Sequence, residues 1–225
     1  MNLQHVDILF KLIVFLFAIS VHESAHAWMA NRRGDPTARM LGRITLNPIK
    51  HIDPIGTVLL PAIALITGIP ILGWAKPTPV NPHNFKNPVL DDILTSVVGP
   101  ISNFVVATAA TVILAAIMLV APGGRLIVQG VMSGLILSNS ALVPFSLLLY
   151  ELLVINVVLA VFNLIPVPPL DGSHVLRHFL SEPLRRAYDT MGWLGLMALV
   201  YLAPGLLSSA IRPFMTLYRR ILMSI

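Results

Sequence analysis

Apolar residues come in long runs broken by short polar stretches, and these runs set the elements the chain is expected to form. The first goes from about Ile8 to Met29, between Asp7 and the pair Arg32–Arg33. A bilayer core about 30 Å thick takes about 20 helical residues to cross, so this run predicts a membrane span. Runs at 93–120, 152–166 and 191–207 predict three more. Two pieces are interrupted, 55–72 by Pro61 and Gly68-Ile-Pro70, and 126–150 by Gly130, Gly134, Asn139 and Pro144. They are expected to dip into the membrane or to lie along its surface. Within Met40–Asp53, Ile44, Thr45 and Leu46 alternate before Asn-Pro, which predicts a short strand ending in a turn.

Composition agrees with the runs. Hydrophobic residues make up 56% of the 225, charged residues only 11%, and the mean hydropathy is +0.83. A soluble domain carries about 25% charge, so the chain is an integral membrane protein. Disorder, collagen and a disulfide scaffold are excluded by hydrophobicity, by lack of glycine periodicity and by the absence of Cys. Without thiolates, any metal must be held by His and carboxylates. The net charge of +5 comes from short basic clusters between apolar runs, which is membrane flanking rather than nucleic-acid binding.

The clusters also orient the chain. Arg32, Arg33, Arg39, Arg43 and Lys50, then Lys76 and Lys86, then Arg177, Arg185 and Arg186 mark cytoplasmic segments. If 31–54 and 74–92 are both cytoplasmic, the piece between them enters and leaves on one face as a re-entrant hairpin. Arg212, Arg219 and Arg220 fall on the other side by parity. A cleaved signal peptide is the competing reading of the N-terminus, with Ala25-His26-Ala27 as its cleavage site. Met1–Asp7 carries no Lys or Arg, and cleavage there would discard the chain's most distinctive polar cluster.

That cluster is His22-Glu23-Ser24-Ala25-His26. Residues four apart on a helix share a face, so both imidazoles can reach one metal ion. Glu23 is placed to take a proton from a water there and to pass one to a leaving amine. Charged groups in a membrane helix cost on the order of 2.5–3.5 kcal/mol each, so the cluster calls for a local reason. Catalytic zinc usually has three protein ligands. Asp171 is the candidate third, because it precedes Arg177 by the same six residues that separate His26 from Arg32. His174, three residues further on, is the competitor. Three prolines in 166–169 exclude regular helix before Asp171 and predict an extended segment beside the metal. Ser24 has no arranged base, so a serine nucleophile is not expected. His51, His83, His174 and His178 lie in basic segments and read as interface residues.

These motifs resemble the site-2 protease family of intramembrane zinc metalloproteases. The resemblance rests on the HExxH helix, on Gly99-Pro100-Ile-Ser-Asn103 and on Asn163-x-x-Pro166-x-Pro168-x-Leu170-Asp171-Gly172. Leu46–Gly56 and Gly73–Pro82 are similar to its compact prokaryotic branch, which lacks PDZ and CBS domains, and the chain leaves no room for either. The resemblance implies one Zn2+ held by His22, His26 and Asp171, with Glu23 as base and acid. It further implies a transmembrane protein substrate, often already cut by another protease, and Asn163 as a donor to substrate or oxyanion. Asn103 is either an active-site residue or an interhelical hydrogen-bonding one.

The expected fold is an all-α polytopic membrane protein of four to six transmembrane or membrane-embedded helices, with a short β-strand/re-entrant element near the active site. It is expected as a single domain, 1–225: an HExxH helix at 8–30, a cytoplasmic and re-entrant β region at 31–92, a GPxxN helix at 93–120, helices leading to Leu-Asp-Gly at 125–170, and a C-terminal span at 189–207. The setting is the cell membrane, with the active site near the cytoplasmic face. A zinc transporter would need ligands at successive depths. A catalytically silent binder of membrane helices would need neither Glu23 nor both imidazoles. These are the two rival readings.

Overall fold

The computed structural model describes residues 3–60, 63, 74–135 and 140–225, with side chains from Ile8 onward. Its helices are α1 (Leu3–Arg33), α2 (Thr37–Met40), α3 (Pro88–Val120), α4 (Gly124–Ser133), α5 (Leu142–Leu164), α6 (Asp171–Arg177), α7 (Glu182–Leu202) and α8 (Pro204–Met223). In lipid every backbone polar group needs an internal partner, which is why these apolar runs become helices. Among the described residues, α1, α3 and α5 are long and apolar enough to cross a membrane. A fourth span is present if α7 and α8, bent by 79° at Ala203, count as one. The chain is thus an all-α membrane protein.

Several expectations change. The run at 191–207 is not one straight helix, because Pro204 disfavours helix at the residue before it and starts α8. The helix expected at 152–166 begins ten residues earlier, at Leu142. Pro144 falls in its first turn, where a missing N–H removes no intrahelical bond. Most of the expected re-entrant piece at 55–72 lies outside the described residues, whose share of it includes most of a π-helical turn at Pro54–Leu59. No strand occurs among the described residues. Leu41–Leu46 instead turns at Gly42 (φ +66°) around the buried side chain of Arg43. Its guanidinium donates to the carbonyls of Lys50, Lys76 and Pro77, the last two at 2.6 and 2.7 Å. A folded guanidinium hub replaces the ladder that alternation suggested.

The chain divides into two compact units, 19–99 and the remainder, 1–18 with 100–225. In the first, α1 ends where Gly34 takes φ +116° and Asp35 N–H reaches back to Ala30 O at 2.9 Å. Arg33 then pairs with the fully buried Asp91 of α3, both Nε and Nη2 at 2.5 Å from Oδ1. Asp35, also fully buried, accepts from Thr37 N and Oγ1 (3.1 and 2.5 Å), Asn81 N (2.7 Å) and Asn84 Nδ2 (2.8 Å). Burial pushes its carboxyl up, but hydrogen bonds from Thr37, Asn84 and Asn81 outweigh this and hold its pKa below the usual 3.8. A carboxyl lowered on folding stabilises above its unfolded pKa, and that stability is lost as pH falls through the folded value. Zinc-free Asp35→Asn should therefore melt below wild type at neutral pH. The gap should close as pH drops from about 4.

In the second unit, Ala107, Leu114, Val128, Leu153, Val157 and Leu222 form the apolar centre joining α3, α4, α5 and α8. Small residues such as Ala107, Ala110 and Ala160 allow close backbone approach, the usual packing of helices in lipid.

Candidate metal centre

α1 carries both imidazoles, and the four-residue spacing puts them on one face. His22 and His26 are each 7% exposed, and their Nε2 atoms lie 3.0 Å apart. The rings meet edge to face at 4.6 Å. His26 Nδ1 lies 2.6 Å from the Thr95 carbonyl of α3. A carbonyl can only accept, so Nδ1 carries the proton and the Nε2 lone pair points at His22. Metal-bound imidazoles usually have such an outer partner. Two nitrogens on a tetrahedral zinc at about 2.0–2.1 Å would sit about 3.3 Å apart. The pair therefore fits zinc with a shift of a few tenths of an ångström.

Thr95 and Gly99 explain the GPxx part of the α3 motif. A Cβ on Gly99 would lie 2.3 Å from His26 Nε2 and 2.8 Å from His22 Cε1, so only glycine lets α3 come this close to the imidazoles. Pro100, inside α3, removes the donor that would hold the Ser96 carbonyl and loosens that turn next to Thr95. Gly99→Ala should thus push the imidazoles apart and weaken zinc binding roughly 100-fold, read by competition with a zinc chelator.

Glu23 is rotated about 100° around the helix from His22. Its carboxylate does not rest on α1. Oε2 accepts from the backbone N–H of Thr78 at 2.8 Å and from Thr78 Oγ1 at 2.7 Å. Thr78 comes from the irregular run 74–81 and was not singled out in the sequence. The visible signal was its position between Pro77 and Pro79 in a stretch that carried the family resemblance.

The other candidates belong to the second unit. Asn103 is fully buried and donates from Nδ2 to Ala18 O at 3.2 Å and to Asn156 Oδ1 at 2.7 Å. Asn156 in turn donates to Leu152 O at 2.8 Å. Of its two readings, this geometry supports the interhelical one, a polar join between α1, α3 and α5. Asn163, near the end of α5, donates Nδ2 to Leu159 O of its own helix at 2.9 Å. Asp171 opens α6, with His174 three residues on and hence on the same side of it. Gly172 takes no positive φ. Its Cβ would meet Leu164 O at 2.3 Å, so the missing side chain lets α6 abut the frayed end of α5. The Pro-rich segment is irregular as expected, but coiled rather than extended. Val167 N bonds Ile165 O at 2.8 Å and Leu170 N bonds Val167 O at 2.9 Å.

His51 is not an aqueous interface residue; it is 1% exposed and its Nε2 lies 2.8 Å from Thr45 O. His83 is exposed and His178 half-buried.

The description "Peptidase family M50" matches residues 10–203. A Bacillus subtilis protein named "Putative zinc metalloprotease YwhC" is 38% identical over 176 residues, covering 78% of this chain and 71% of that protein. The Rip2 proteins of Mycobacterium tuberculosis and Mycolicibacterium smegmatis, named in the same words, are 28% and 26% identical over 195 and 189 residues. Those matches cover 85% and 84% of this chain but 66% and 64% of the Rip2 proteins. No solved structure matches the chain.

Proposed function

The chain belongs to peptidase family M50, zinc metalloproteases of membranes, and from that premise we propose that it hydrolyses a peptide bond within or near a transmembrane segment of another protein. The observation that carries the reading is the buried His22–His26 pair with Glu23 beside it, on a helix apolar and long enough to cross a membrane. His22 and His26 bind the zinc through Nε2, and Asp171 supplies the third ligand. Depth supports this, since His26 and Asp171 precede basic residues by the same six positions. Zinc, when bound, polarises the scissile carbonyl and makes a water acidic. Glu23 accepts the proton of the attacking water at its carboxylate and later donates one to the leaving amine, so that the amide nitrogen departs neutral. Thr95 fixes the His26 ring, and Gly99 leaves space for the pair. Asn163 gives one amide proton to Leu159 O, and its second Nδ2–H can donate to substrate or oxyanion. The basic clusters support a plasma-membrane protein with this site near the cytoplasmic face.

A substrate helix hides its carbonyls in its own hydrogen bonds, so it must unwind before one can be attacked. Gly or Pro placed beside the scissile bond should speed cleavage, and a run of Leu there should slow it. Gel-based rates on a peptide series read this directly, and rates indifferent to the changes would remove unwinding from the mechanism.

The test of the function is metal dependence in vesicles. The purified chain should hold one zinc and cleave a single-span peptide. A chelator should stop it, and zinc, not magnesium, should restore it. Vesicles that take up zinc without cleaving would favour the transporter reading.

A further inference from the structure

We propose that Thr78 is the positioning residue of Glu23, fixing the carboxylate that moves the proton; this rests on the protease reading above. Among the described residues, the hydrogen bonds to the Glu23 carboxylate come from Thr78, and both fall on Oε2. Oε1 is thereby the oxygen left to meet a water. The Thr78 hydroxyl is also 3.0 Å from the Glu23 main-chain oxygen, so its single proton is shared between the carboxylate and the helix that bears it.

The mount is rigid. Pro77 and Pro79 have no N–H, so within Pro-Thr-Pro only Thr78 can donate from the backbone. Pro79 also biases Thr78 to extended conformations, which aims that N–H before Glu23 reaches it.

The contact is not needed to hold the run 74–81 in place. Trp74 N bonds Gly56 O at 3.1 Å, Lys76 N bonds His51 O at 2.9 Å and Asn81 N bonds Asp35 Oδ2 at 2.7 Å. Arg43 grips the carbonyls of Lys76 and Pro77. The run is anchored without Glu23, whereas the Glu23 carboxylate depends on Thr78. With the hydroxyl gone, the carboxylate keeps only the Thr78 N–H and can pivot about Oε2, and misplacement by about 1 Å costs on the order of 100-fold in rate.

The experiment compares wild type with Thr78→Ser, Thr78→Val, Thr78→Ala and Asp35→Asn, each the full chain in vesicles. Zinc content, kcat and KM are read on a single-span peptide. Thr78→Val and Thr78→Ala should keep one zinc and a KM within about two-fold while kcat falls about 10- to 100-fold. Thr78→Ser restores the hydroxyl and should recover most of kcat. Asp35→Asn loosens the far end of the same run and should leave kcat near wild type. A second reading uses zinc-free protein. There Thr78→Val should lower the melting temperature by about 4 °C with Glu23 present and by under about 1 °C in a Glu23→Ala background. The proposal is overturned if kcat survives Thr78→Val, if Thr78→Ser is as slow as Thr78→Val, if Asp35→Asn is equally slow, or if the melting shift is the same in both backgrounds. A zinc-loaded wild type without activity sinks the protease reading instead, and the melting cycle then still decides whether Thr78 holds Glu23.

Discussion

Glu23→Gln is expected to bind zinc as wild type does and to lose turnover by about 10³- to 10⁴-fold. The substitution leaves His22, His26 and the Thr95 contact untouched, so the metal has the same imidazole ligands. What disappears is the group that can take a proton. Gln is close to isosteric and its amide oxygen can still accept from Thr78 N–H and Oγ1, so the run 74–81 should stay in place. The change therefore separates chemistry from structure. Metal analysis and single-turnover cleavage on the same preparation read both halves. Cleavage near the wild-type rate would take Glu23 out of the mechanism.

Asp171→Ala is expected to empty the metal site. A third protein ligand is what separates a catalytic zinc site from a pair of imidazoles with modest affinity. A carboxylate also offsets half of the metal's charge, which matters in a low-dielectric setting. His174 shares a side of α6 with Asp171, so the competing arrangement has His174 as ligand and Asp171 orienting it from behind. In that case Asp171→Ala would weaken zinc only about 10- to 100-fold. The mirror variant decides: His174→Ala should keep both metal and activity. Loss of zinc in His174→Ala, with retention in Asp171→Ala, would reverse the assignment.

What could be read from the sequence was what repeats locally. Apolar runs gave the helices that cross, and a spacing of four gave the imidazole pair, because both follow from helix geometry alone. What was missed depends on residues brought together from afar. Thr78 lies 55 positions from Glu23, and Thr95 lies 69 from His26. Gly99 is legible as a motif residue, yet its reason, a Cβ that would strike His26, requires α3 to be seen against α1. The strand expected near Ile44 failed because alternation does not register that Arg43 is buried and collects three carbonyls. The Pro-rich segment was correctly non-helical, but absence of helix does not distinguish extension from turns.

The central claim is that the scissile bond lies in or beside a membrane span, and the position of the cut tests it most directly. The zinc-loaded chain is reconstituted with a single-span substrate protein bearing soluble domains at both ends, and the products are sized by mass spectrometry. The account predicts one cut within the apolar segment or the turn of helix flanking it, absent in Glu23→Gln. Cuts confined to the soluble domains, or an unchanged cut in Glu23→Gln, would contradict it.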